Sequence, residues 1–232
     1  MFFAMFFWDP TMILILPALV LALWAQARVK MAYSKYQRIP AHSGKSGAQV
    51  AQLILRSHGI EEVEVMETGG FLADHYDPRK KTVNLSSEVY HGDSLASLAI
   101  AAHECGHALQ DSQKYFPLTF RSELMPMANL GSFAAFPLFF LGFIFQTGIL
   151  LNIGIGLFAV AVVFHFVTLP VEFNASRRAM DILSELNFLT PEEVPGARSV
   201  LSAAAWTYVA SASMALLELV RLLVLRDMAS KD

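Results

Sequence analysis

The sequence predicts a mainly α-helical membrane protein, with about four transmembrane helices and a small α+β unit inserted after the first of them. Three observations carry this. Of 232 residues, 55% are hydrophobic and 16% are charged, where a soluble domain carries about a quarter charged residues. The apolar residues are gathered into runs: the 48 residues between Glu123 and Glu172 contain no Asp, Glu, Lys or Arg, more than twice the roughly 20 that one spanning helix needs. Between Arg28 and Arg121 the pattern changes, because eleven of the 17 Lys and Arg residues fall there, among alternating and turn-rich stretches.

Residues 1–27 read as an N-terminal transmembrane anchor. The apolar run Met12–Ala25 follows the aromatic-rich MFFAMFFW, and Trp8 and Trp24 are spaced to sit at the two membrane interfaces. A cleaved signal peptide begins with positive charge, whereas residues 1–9 hold Asp9 and no Lys or Arg, so the anchor is expected to be retained.

Residues 28–130 are expected to form the inserted α+β domain. PAHSGKSG, residues 40–47, is a turn-rich linker into a helix with Ser46 as N-cap and Gly59 as its stop. EVEVME alternates as a half-buried strand does, and TGGFLADHYDPRKKTVNLSS reads as one or two more strands around an Asp77–Pro78 turn. Asp93 or Ser94 then caps a helix over SLASLAIAAHECGHALQDS, too short in its apolar part to span a bilayer. Residues 131–170 form a transmembrane hairpin with its turn at Gln146–Gly148. Residues 171–200 begin a new helix after Pro170, and 201–232 hold a last span and a tail. Glu218 and Arg221 interrupt that span at i, i+3 and are expected to pair on one face.

The Lys and Arg distribution, with RVKMAYSKYQR directly after the first span, places the 28–121 segment in the cytoplasm. A net charge of −3 gives no reason to expect a nucleic-acid partner; the partners expected are the lipid bilayer and a protein or peptide. The single cysteine, Cys105, can form no internal disulfide.

AAHECGHALQ carries the chemistry. On a helix His103 and His107 stand one turn apart on one face, so both imidazoles can reach one zinc ion. Glu104 is rotated by about 100° from His103, able to act on a water at the metal without being a ligand. Zinc acidifies such a water, and the carboxylate of Glu104 takes its proton as general base when the water attacks a peptide carbonyl. Their neighbours are small or apolar, which makes two unpartnered histidines and a glutamate expensive to bury without a metal. Gly106 within a helix implies that something approaches closely there. Cys105 points away from the two-histidine face and reads as filler. The extended motif that ends in a third histidine is excluded, because Gln110 and Gln113 stand where Gly and His are needed. Spacing leaves Glu123, His165 and Glu172 as candidates for the third ligand.

DHYDPRKKTVNLS, AAHECGHALQ and TLPVEFNASRRA, in this order with spans between them, resemble the bacterial membrane neutral zinc metallopeptidase family over nearly the whole chain. More distantly, H-E-x-x-H with a later E-x-x-A-S is similar to the E-x-x-A-D pattern of the heat-shock membrane protease and CAAX prenyl endopeptidase type. The resemblance implies a zincin-like catalytic domain, one Zn2+ per chain and Glu172 as third ligand. It also implies a peptidase of membrane-associated substrates in the bacterial inner membrane. Two residues depart from the related patterns: Asn174 and Ser176 stand where acidic residues are expected to orient the ligating histidines. Asp77 and Asp181 are candidate replacements, and Arg177 and Arg178 read as a basic pair at the membrane edge.

His75 and Tyr76, ahead of the catalytic helix, are candidate stabilisers of the oxyanion in the transition state, and KKTVNLS is a candidate exposed edge for an extended substrate. Two other readings compete. One is a non-catalytic metal-binding scaffold or chaperone-like protein, for which Glu104 would be unnecessary. The other is a site-2-type intramembrane protease, which wants an Asp-Gly ligand motif that this sequence lacks.

Overall fold

The computed structural model describes residues 10–229, so Trp8 and the aromatic segment around it lie outside the described residues. A 3-10 turn, Pro10–Leu14, precedes helices α1 (Leu16–Tyr36) and α2 (Gly47–Ser57), then strands β1 (Glu64–Thr68), β2 (His75–Asp77) and β3 (Thr82–Ser86). Helices α3 (Ser87–His91), α4 (Leu95–Ser112), α5 (Phe116–Ile144), α6 (Gly148–Glu185) and α7 (Val194–Ala229) follow. The described residues divide into two compact units: one of residues 10–24, 120–169 and 207–229, the other of 25–119 and 170–206.

Local chemistry sets the ends of the elements in the second unit. Ser46 opens α2 with a capping box, its hydroxyl accepting from the Gln49 N–H while the Gln49 side chain accepts from the Ser46 N–H. Gly59 ends the turn after α2 at φ +68°, a backbone state that costs glycine nothing. Ser94, rather than Asp93, caps α4 by accepting from the Ser97 N–H. The sheet runs β1-β3-β2, with β1 parallel and β2 antiparallel to β3. β3, the TVNLS of KKTVNLS, is therefore central with both edges paired, and the edges belong to β1 and β2. Val83 and Leu85 point from β3 into a core shared with Val50 and Ile54 of α2, Leu98 and Ala102 of α4, and Ala179 and Leu183 of α6.

The helix break expected at Pro170 does not occur: α6 runs unbroken from Gly148 to Glu185, with Pro170 inside it. An internal proline costs about 3 kcal/mol through its lost hydrogen bond and ring clash. Burial of Val171, Ala175, Ala179 and Leu183, all at 0% exposure, offsets that cost. Glu172 is thus a mid-helix residue, held as firmly as the helix itself.

In the first unit α5 and α6 form a hairpin through residues 145–147, with Gln146 at φ +53°. Their backbones approach closely at Gly154, where a side-chain carbon would lie 2.8 Å from the Ala135 carbonyl oxygen. Phe139, Phe158, Val162 and Leu222 build the core of this unit. Large apolar side chains, among them Phe133, Phe145 and Ile149, face outward. Among the described residues three helices, α5, α6 and α7, are long and apolar enough to cross a membrane. α1 is not among these three: Arg28, Lys30 and Lys35 occupy its second half. Arg221 of α7 is 4% exposed; it donates to Glu218 at 2.9 Å and to Thr11 at 3.2 Å.

That pair makes the first prediction. Replacing Arg221 or Glu218 alone with leucine breaks this pair and lowers stability by about 3–5 kcal/mol, while the double replacement recovers most of the loss. Thermal unfolding of the detergent-purified variants, read as a double-mutant cycle, checks it.

Candidate metal centre

One face of α4 and one stretch of α6 carry the polar groups of the site. His103, Gly106, His107 and Gln110 recur on α4 at helical spacing, so all four face the same way. Gly106 is the point of closest approach: a side-chain carbon there would lie 2.7 Å from the carbonyl oxygen of Ala175 and 3.2 Å from its Cα. Any side chain would push α6 away, which accounts for a glycine inside α4 despite its helix penalty.

This approach sets Glu172 against both histidines. Its Oε2 lies 3.3 Å from Nε2 of His103 and 3.5 Å from Nε2 of His107. Ligand atoms of the three residues all fall within 4.8 Å of one another, and the two imidazole rings meet edge to face at 81°. Glu172 and His107 are buried and His103 is partly so. The cluster contains neither Glu123 nor His165.

The donor set fits zinc. Two imidazole nitrogens and a carboxylate oxygen are its usual catalytic ligands, and tetrahedral bonds of about 2.0–2.2 Å separate ligand atoms by roughly 3.3–3.6 Å. The 3.3 and 3.5 Å separations match that spacing. Both Nδ1 atoms have outer partners: Ser176 Oγ lies 3.2 Å from Nδ1 of His103, and Gln110 Oε1 lies 3.0 Å from Nδ1 of His107. Each ring therefore turns Nε2 toward the cluster, the arrangement that outer partners impose on ligating histidines.

Asn174 and Ser176, the two departures from an acidic pattern, are thus engaged beside the site. Ser176 meets His103 directly, and Asn174 accepts from Gln110 at 2.9 Å and from Arg178 at 2.7 Å. Asp77, weighed as a substitute, instead caps its own turn through the N–H groups of Arg79 and Lys80. Arg178 also donates to Gln113 at 2.6 Å and lies over the Tyr115 ring.

Glu104, beside the cluster on the next face of α4, is buried at 8% exposure. Desolvation of His107 opposes its protonation, but the carboxylates of Glu172 and Glu104 outweigh it and raise its pKa above 6.5. Cys105 packs against Ala51, donating weakly to its carbonyl, and burial pushes its thiol pKa well up.

His75 and Tyr76 lie on β2, outside the three-residue cluster. The exposed His75 bonds through Nδ1 to the Ala73 carbonyl at 2.8 Å. Tyr76 donates its hydroxyl to Asp111 of α4 at 2.7 Å, beside the Lys81 ammonium at 2.6 Å on the same oxygen. Burial and Asp111 together push the Tyr76 pKa up. Sequence reasoning missed Asp111 and the active part of Gln110. Gln110 at i+3 from His107, on an apolar buried face, was the available signal.

Residues 11–227 match a protein family described as "Putative neutral zinc metallopeptidase". The chain is 44% identical over 213 residues to a Bacillus subtilis (strain 168) protein described as "Putative membrane protease YugP", covering 91% of this chain and 94% of that protein. No solved structure matches the chain.

Two predictions follow from this geometry. Gly106→Ala separates α4 from α6 and weakens zinc binding at least tenfold with helix content retained, measured by chelator competition beside circular dichroism. Zinc affinity also declines as pH falls, because protons compete for His107, whose carboxylate neighbours favour its protonation; the zinc dissociation constant measured across pH checks it, and an affinity independent of pH in the acid range would contradict a histidine-built site.

Proposed function

Because the chain belongs to the neutral zinc metallopeptidase family, we propose that it is a membrane-embedded zinc endopeptidase whose metal ligands are His103, His107 and Glu172. The observation that carries this reading is the convergence of three ligand atoms of the right chemistry, with the outer nitrogen of each imidazole already bonded.

A zinc ion bound by these residues supplies an acidified water, of pKa about 7, and polarises a peptide carbonyl. The chain's own residues do the rest. Glu104, adjacent to the cluster yet outside the ligand set, accepts the proton of the attacking water and returns it to the amide nitrogen as the peptide bond breaks. Ser176 and Gln110 hold the imidazoles in register. His75 and Tyr76 are the proposed candidates for the oxyanion; the Tyr76 hydroxyl already donates to Asp111, so the proposal rests first on His75.

The membrane reading extends in the same way. We read the first 27 residues as a fourth span added to α5, α6 and α7, with the 28–121 segment on the cytoplasmic side of a bacterial inner membrane. The apolar outward side chains of the first unit support lipid contact. The substrate class is a protein or peptide at or near that membrane, and one zinc serves each chain.

Glu104→Gln tests the catalytic claim. The variant keeps its zinc and loses cleavage of an unstructured reporter protein by about a hundredfold or more. Unchanged cleavage would remove Glu104 from the mechanism, and a metal-bearing wild type without any cleavage would favour the scaffold reading.

A further inference from the structure

Gln110 is fully buried, and its amide makes three hydrogen bonds at once: its Nε2 donates to the Val171 carbonyl at 2.8 Å and to Asn174 Oδ1 at 2.9 Å, and its Oε1 faces His107 Nδ1 at 3.0 Å. An amide can ordinarily be turned either way, and an imidazole can carry its proton on either nitrogen. Here both choices are decided by groups that have only one role. The Val171 backbone oxygen can only accept. The Arg178 guanidinium can only donate, and its Nε lies 2.7 Å from Asn174 Oδ1, so Asn174 must present its oxygen.

With both acceptors fixed, the NH2 of Gln110 has to face them and its oxygen has to face His107. In the neutral ring Nδ1 of His107 must then carry the proton, leaving the lone pair on Nε2, the nitrogen that faces Glu172 at 3.5 Å. Arg178 is in turn anchored at Gln113, which caps α4, so the chain of contacts closes across the same two helices.

We propose that Gln110, oriented by Val171 and by the Asn174–Arg178 pair, is a positioning residue that fixes the tautomer of His107 before any metal arrives. A neutral amide does here what a carboxylate does in other histidine metal sites, and it adds no negative charge to the ligand set. The proposal rests on the zinc reading only for its consequence, because the tautomer itself is a property of the neutral His107 ring in the metal-free chain.

The test uses the full-length protein in detergent and two readouts. The first is the 15N spectrum of the histidine rings in metal-free protein at alkaline pH, with the His107 signals assigned by their loss in His107→Gln. The second is the zinc dissociation constant from chelator competition. Wild type shows Nδ1–H at His107. Gln110→Leu, similar in size and unable to accept, moves the proton to Nε2 and weakens zinc binding ten- to a hundredfold. Asn174→Asp keeps an acceptor toward Gln110 and Arg178 and keeps the wild-type tautomer. Asn174→Leu removes one of the two locks, giving mixed tautomers and a severalfold loss.

A Gln110→Leu variant with the wild-type tautomer and affinity would overturn the proposal. Should Gln110→Leu not fold, the Asn174 pair decides in its place, since equal behaviour of Asp and Leu there would also overturn it. A tautomer that shifts as described in a protein that takes up no zinc would support the relay and sink the metal reading instead.

Discussion

The approach of α4 to α6 at Gly106 and Ala175 is the constraint on which everything else in the site depends. With no side chain at Gly106, the two helix backbones come close enough for Glu172 to reach both histidines. Four further polar contacts of the site cross the same seam: His103 with Ser176, Gln110 with Val171 and with Asn174, and Gln113 with Arg178. A shift of even one ångström there would break the ligand spacing and the bonds behind it together. Since α6 is continuous through Pro170, Glu172 lies within a helix rather than in a fraying first turn.

Charge is distributed sparingly. Without metal, Glu172 is the one carboxylate in the ligand cluster, with Glu104 beside it, and both favour protonation of the buried His107. A divalent cation satisfies the same negative charge without the proton. The partners at the back of each imidazole are a hydroxyl and an amide, so the orientation of the rings is settled by hydrogen-bond geometry rather than by further carboxylates. Away from the cluster, Asp111 gathers the Tyr76 hydroxyl and the Lys81 ammonium, tying β2 and the start of β3 to the end of α4. The sheet and α4 are thereby held in one register.

What could be read from the sequence follows physical range. Local signals were legible: the Ser46 N-cap, the Gly59 stop, the turn near Gln146 and the pairing of Glu218 with Arg221 all depend on near neighbours. The histidine pair and the inference of a close contact at Gly106 depended on helix geometry alone. Glu172 needed more than spacing, which left Glu123 and His165 equally open. The proline at 170 misled, because its local cost is visible in the sequence and the burial of Ala175, Ala179 and Leu183 that offsets it is not. KKTVNLS misled for a related reason, since strand order is a property of the whole sheet. The roles of Gln110, Asn174 and Ser176 arise only where two helices meet, and nothing within either helix announces them.

The most direct measurement is the zinc content of the detergent-purified protein, wild type beside Glu172→Ala, after reconstitution with one equivalent of metal. The account predicts about one zinc per chain in the wild type and a sharply reduced content in the variant. Equal zinc in both would detach Glu172 from the site, and no zinc in either would contradict the metal centre altogether.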